Sequence, residues 1–96
     1  MSRYALPLSG YENASIWGYD DQDITYFATL WRNESDSRNE PDFWLNWFTQ
    51  HAAIETPGAL AYLIGRSTGV PMREVAAAMA QATSAPEHRE LAAIAK

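Results

Sequence analysis

The chain has 96 residues, of which 20 % are charged and 47 % are hydrophobic, so its composition predicts one folded domain rather than a disordered segment. It contains no cysteine, which excludes disulfides, thiolate metal sites and cysteine catalysis. No apolar run is long enough to span a membrane and no signal-peptide pattern is present, so we expect a cytoplasmic protein. The net charge of −5 argues against non-specific binding to nucleic acid.

The two halves of the sequence differ in composition. Residues 1–50 contain eleven of the twelve aromatic side chains and carry the whole net charge of −5. Residues 51–96 contain thirteen of the sixteen alanines and are neutral. Aromatic residues favour strands and alanine favours helices. The sequence therefore predicts a single α+β domain over residues 1–96, with an N-terminal antiparallel sheet followed by helices.

Three strands are predicted, at about residues 13–19, 24–33 and 43–48. The first two flank the polar segment 20–23, which has the length of a four-residue hairpin loop. Residues 4–8 are a candidate edge strand. Aromatic side chains alternate onto both faces of the second and third strands, although a sheet covered by helices on one side should have only one apolar face. One face therefore needs a partner, which is the N-terminal segment, a second subunit or a ligand.

Two or three helices are predicted, at about residues 57–67, 71–83 and 86–95, packed on one face of the sheet. Thr56 is a favourable residue to cap the start of the first helix. Gly69 is a favourable left-handed stop at its end. The last helix is short and depends on tertiary contacts for its stability.

The function that we favour from the sequence is a small non-enzymatic module for protein interaction or regulation. Large rigid rings give contact area at low entropic cost, and charges at the rim of an interface tune the encounter rate. The candidate binding residues are five aromatic residues and two acidic residues for the rim: Trp17, Tyr19, Trp31, Trp44 and Trp47, with Asp36 and Glu40. The expected occupant is a protein partner or a second copy of the chain in a homodimer.

Two other functions stay open. A helix–turn–helix DNA-binding regulator would use residues 57–83 and contact phosphates through Arg66, Arg73 and Arg89. So few basic residues argue against nucleic acid as a partner. A carbohydrate-binding module would use the tryptophan-rich sheet as a stacking platform.

The sequence contains no pattern that predicts catalysis or a metal site. His51 and His88 lack the spacing of metal ligands, and the aspartates at 20, 21 and 23 lack the glycine and the distal glutamate of a calcium loop. No serine-hydrolase motif and no phosphate-binding glycine loop occurs. We therefore expect no enzymatic activity, no metal and no cofactor.

Overall fold

The computed structural model describes residues 2–11, 15–33 and 41–96. Within them, a single antiparallel sheet has its strands in sequential order: β1 (Ser2–Ala5), β2 (Ile16–Asp20), β3 (Thr25–Leu30) and β4 (Phe43–Leu45). Helices follow: α1 (Trp47–Gln50), α2 (Pro57–Thr68), α3 (Met72–Ala80) and, after a 3-10 turn at Pro86–His88, α4 (Glu90–Ile94). The prediction of an α+β fold with the sheet first and the helices second is confirmed, with four strands instead of three.

The N-terminal edge strand begins earlier than predicted. β1 covers residues 2–5 rather than 4–8, and it pairs with β2 so that Tyr4 lies opposite Trp17. Leu6 then continues the contact, because its backbone N–H donates to the carbonyl of Ser15 at 3.1 Å. The predicted strand 13–19 is present from residue 16, and residues 13 and 14 lie outside the described residues.

The turn between β2 and β3 lies one residue later than the predicted loop 20–23. Asp20 ends β2 and pairs with Thr25 at the start of β3. Its Oδ1 accepts hydrogen bonds from the backbone N–H groups of Gln22 and Asp23, at 2.9 and 3.3 Å. This is the local bonding that favours aspartate in turns. β3 is also shorter than the predicted strand 24–33, since it ends at residue 30.

The predicted third strand, 43–48, is wrong in its second half. β4 ends at residue 45, and Asn46 then caps the short helix α1. The side chain of Asn46 accepts from the backbone N–H of Thr49 at 2.9 Å, while the hydroxyl of Thr49 accepts from the backbone N–H of Asn46 at 3.0 Å. Because of this reciprocal capping box, Trp47 and Phe48 begin a helical turn instead of continuing the strand.

The helices cover one face of the sheet, which we call the covered face. Cross-strand pairing puts Tyr4, Trp17, Ala28 and Leu45 in one row across this face. The core joins its buried side chains to those of the helical half: Leu6, Trp17, Tyr26, Ala28, Leu30 and Leu45 with Ile54, Leu60, Ile64, Val75, Met79 and Leu91. Among the described residues, the core therefore lies between the two halves of the chain, and neither half encloses a core of its own.

The predicted start and end of α2 are confirmed. Thr56 caps the helix by accepting from the backbone N–H of Ala59 at 3.0 Å, and Gly69 ends it in the left-handed conformation at φ 80°. α3 is shorter than the predicted helix 71–83. The predicted helix 86–95 is divided into the 3-10 turn and α4. Glu90 attaches α4 to the start of α2, because its Oε1 accepts from the backbone N–H of Gly58 at 2.6 Å.

Candidate functional site

The face of the sheet opposite the helices carries a groove lined by aromatic side chains. Cross-strand pairing places Ile16, Thr29 and Trp44 in one row of this face. The groove has a volume of about 570 Å³. Its large apolar side chains, which define what we call the open face, are Ile16, Phe27, Trp31, Trp44, Trp47 and Phe48. The second apolar face predicted from the sequence is therefore present.

Three of the large side chains of the open face are well exposed to solvent. Trp44 is 57 % exposed, Trp47 is 45 % exposed and Phe48 is 71 % exposed. The rings of Trp47 and Phe48 meet edge to face, with their centroids 4.9 Å apart. A contiguous exposed apolar patch is a candidate binding surface.

A glycine shapes the middle of the open face. Gly18 lies opposite Phe27 on β3 and opposite Arg3 on β1. A Cβ atom at Gly18 would lie 2.0 Å from the backbone oxygen of Ser2 and 3.1 Å from Cζ of Phe27. β1 and the ring of Phe27 therefore approach the backbone of β2 more closely than any other residue would allow.

The rim of the open face carries charges of both signs. Arg3 on β1 and the aspartates Asp20 and Asp23 at the β2–β3 turn line the groove together with the amide of Asn46. These rim residues were not predicted from the sequence, because carboxylates at such positions are typical turn residues. The two acidic residues predicted for the rim, Asp36 and Glu40, lie outside the described residues.

Trp17 and Tyr19 do not lie on the open face, which corrects their assignment to the binding surface. Alternate residues of a strand point to opposite faces, and the odd positions of β2 point toward the helices. Trp17 has no exposed surface, and its ring centroid is 4.7 Å from that of Tyr4. Tyr19 is half-buried and meets Tyr26 edge to face at 4.9 Å.

The other three selected tryptophans share the open face. Trp31 follows β3, Trp44 is in β4 and Trp47 begins α1, and all three line the same groove. Phe27 and Phe48 line this groove as well, although they were not predicted as binding residues. The alternation of side chains along the predicted strands could have identified both residues, provided that the face covered by the helices was known.

A second cluster of functional groups lies against the covered face, and no sequence spacing indicated it. His88, in the 3-10 turn, is buried among aromatic rings. Its ring centroid lies 5.1 Å from that of Trp17, 5.4 Å from that of Tyr4 and 5.8 Å from that of Tyr26. Its Nδ1 is 3.0 Å from the hydroxyl of Thr83, which fixes the orientation of the ring.

His88 forms one wall of a cleft of about 700 Å³, which we call the tyrosine cleft. Its lining consists of three tyrosines, three acidic residues, one serine and this histidine: Tyr4, Tyr19, Tyr26, Asp21, Glu55, Glu87, Ser2 and His88. Burial raises the pKa of Tyr26 above its ordinary value of 10.0, and the negative charge of Glu87 raises this pKa further. The tyrosine cleft is therefore a negatively charged environment with aromatic walls.

The arginines of the DNA-binding alternative are exposed on separate elements. Arg66 lies in the last turn of α2, Arg73 in the first turn of α3, and Arg89 between the 3-10 turn and α4. α2 and α3 do form a helical hairpin around Gly69, as expected for that alternative and for any simple packing hairpin.

Among residues 2–11, 15–33 and 41–96, no group of three or more histidine or acidic side chains converges in a way that could hold a metal ion. In the same residues, no helix is both long enough and apolar enough to cross a membrane. Comparison of the chain with protein-family models, with curated proteins and with solved structures finds no match.

Proposed function

We propose that this protein is a non-enzymatic interaction module that binds a protein partner, or a second copy of itself, through the open face. The supporting observation is the exposure of Trp44, Trp47 and Phe48 on a sheet face opposite the helices. Tryptophan, tyrosine and phenylalanine are enriched in the centres of protein interfaces. Burying these rings would supply the free energy of association, at about 25 cal/mol per Å² of apolar surface.

A second copy of the chain suits this face well. A two-fold symmetric interface must be complementary to itself, because each residue meets the same surface of the partner. The open face meets this requirement in charge, since Arg3 lies on the same rim as Asp20 and Asp23. Its aromatic centre provides the apolar layer that packs two sheets face to face at about 10 Å.

Sedimentation velocity over a wide range of protein concentrations tests self-association. We expect a reversible dimer, and we expect Trp44→Ala and Phe48→Ala to shift the equilibrium toward the monomer. Tyr62→Ala is the matched control, because Tyr62 is 51 % exposed on α2 and does not line the open face. An equal effect of the control would contradict a role for the open face.

Acrylamide quenching of tryptophan fluorescence separates the remaining outcomes. A monomer in which Trp44 and Trp47 are quenched supports a different protein as the occupant of the open face. A monomer in which all four tryptophans are protected within one chain contradicts the proposal, because the binding surface would then be part of the core.

A carbohydrate ligand is a second candidate, favoured by one specific observation. Trp31, Trp44 and Trp47 line the same groove as the hydrogen-bonding side chains of Asp23 and Asn46, and stacking rings beside such groups suit a sugar. A panel of glycans tests it through tryptophan fluorescence. A saturable change that Trp44→Ala removes would support the sugar, and an unchanged spectrum across the panel would exclude it.

A further inference from the structure

The tyrosine cleft is separate from the open face, and its chemistry indicates a ligand of its own. It lies on the helix-covered side of the sheet, where Tyr4, Tyr19 and Tyr26 approach the 3-10 turn. Tyr4 and Tyr19 are half-buried, so part of each side chain is packed and part faces the cleft. The volume of about 700 Å³ is in the range of small-molecule sites.

Two nearly buried polar groups in this cleft have capacity for further hydrogen bonds. Tyr26 is only 7 % exposed, and within the described residues its hydroxyl has no hydrogen-bond partner. That hydroxyl retains some solvent-accessible surface, unlike Nε1 of Trp17, which is fully buried and lacks a partner. The hydroxyl of Tyr26 therefore faces the cleft that Tyr26 lines. His88 is 5 % exposed and uses Nδ1 to contact Thr83, which leaves Nε2 for the cleft. Nearly buried polar groups without a partner require one from a ligand or from water.

The charge of the tyrosine cleft selects cations. Glu55 and Glu87 line it, and none of the described residues that line it is arginine or lysine. Burial and the negative charge of Glu87 both raise the pKa of the Tyr26 hydroxyl, which lies in the same cleft. An anionic ligand would therefore be repelled from the cleft.

The residues that line the tyrosine cleft favour an organic cation over a metal ion. Within the described residues, no three histidine or acidic side chains converge closely enough to hold a metal. Tyrosine rings attract ammonium groups through their faces, and aromatic walls with nearby carboxylates are the usual recognition site for alkylated ammonium groups.

We propose that the tyrosine cleft binds an alkylammonium group, with the rings of Tyr4 and Tyr19 against the cation and Glu55 and Glu87 balancing its charge. The hydroxyl of Tyr26 and Nε2 of His88 lie at the buried end of the cleft and accept hydrogen bonds from an N–H of the ligand. The cation comes either from a free amine or from a lysine side chain of a peptide.

Titration with simple probes tests this proposal on the full chain. We expect butylammonium to produce saturable NMR shifts of the His88 and Tyr19 ring signals, and we expect butyrate to produce none. A glycine-flanked lysine peptide distinguishes the two sources: tighter binding of the peptide indicates a protein ligand, and tighter binding of the free amine indicates a small molecule. Equal responses to butylammonium and butyrate, or no saturable shift with any cation, would overturn the proposal.

Matched variants separate recognition from folding. Glu87→Gln should weaken binding of butylammonium about two- to fivefold, as expected for one exposed carboxylate. Glu74→Gln is its control, since Glu74 is exposed on α3 and does not line the tyrosine cleft. Tyr19→Leu should weaken binding about three- to tenfold through loss of a ring face. Circular dichroism checks that each variant is folded, and an equal effect of Glu87→Gln and Glu74→Gln would count against the site.

Discussion

Trp17 and Trp44 occupy opposite faces of the same sheet, and their surroundings differ completely. Trp17 has no exposed surface and packs against Tyr4 and His88, whereas Trp44 is 57 % exposed. Both residues are tryptophans in short strands rich in apolar side chains. The difference arises from their position in the alternation of each strand, together with the side on which α2 and α3 pack. An apolar residue type therefore does not by itself identify the core of this domain.

The largest expected effect is on the free energy of unfolding, and it tests the difference between Trp17 and Trp44 directly. Trp17→Ala should lower the free energy of unfolding by about 3–5 kcal/mol, because it removes a fully buried side chain and leaves a cavity. Trp44→Ala should change the free energy of unfolding of the monomer by less than about 0.5 kcal/mol, as surface substitutions do. Urea denaturation below the concentration of self-association measures both. Similar losses in the two variants would show that Trp44 belongs to the core.

A smaller effect is expected where the backbone of the open face is most crowded. Gly18→Ala should destabilise the fold by about 1–3 kcal/mol, because the new methyl group would overlap the backbone oxygen of Ser2 and press on Phe27. Ile16→Ala is the control on the same strand and face, since it shortens a half-buried side chain and introduces no overlap. Urea denaturation of both proteins measures the difference. A neutral Gly18→Ala would mean that β1 moves away at little cost.

The order of the elements could be predicted because it depends on local chemistry. Aromatic residues before position 50 favoured strands, alanine after it favoured helices, and Thr56 and Gly69 marked both ends of α2. The excess of apolar surface on the strands also predicted a face in need of a partner. Each of these features is contained within a few neighbouring residues.

The composition of the candidate sites could not be predicted, because it depends on contacts between distant parts of the chain. Whether Trp17 is buried depends on which face of the sheet the helices cover, and strand alternation alone does not reveal that face. The capping box between Asn46 and Thr49 competes with an aromatic pattern that favours a strand. His88 reaches Tyr4 only through the packing of the 3-10 turn on the sheet.

A gain in stability is expected at Ile24, in the turn between β2 and β3. Ile24 has φ 53°, so a β-branched residue occupies the left-handed region, which strains the backbone. Because its side chain is 68 % exposed, it makes few contacts that could offset this strain. Ile24→Asn should stabilise the fold by about 1 kcal/mol, because asparagine tolerates this conformation better. Ile24→Val is the control, since valine is also β-branched and should give no gain. Thermal denaturation measures both, and a loss on Ile24→Asn would show that the isoleucine makes a contact that outweighs the strain.

The smallest effect is expected at alkaline pH and concerns the edge of the covered face. Burial and the charge of Glu87 raise the pKa of Tyr26 in the folded chain above 10.0, the value expected after unfolding. The folded chain therefore holds the phenolic proton more tightly, so this stabilisation is complete below pH 10.0 and is lost as the pH rises through the folded pKa. Tyr26→Phe removes the group, and urea denaturation of both proteins from about pH 8 to about pH 11 isolates its contribution. We expect the stability of the native chain to fall relative to that of Tyr26→Phe above pH 10.0, whereas a constant difference would show that the hydroxyl of Tyr26 titrates alike in the two states.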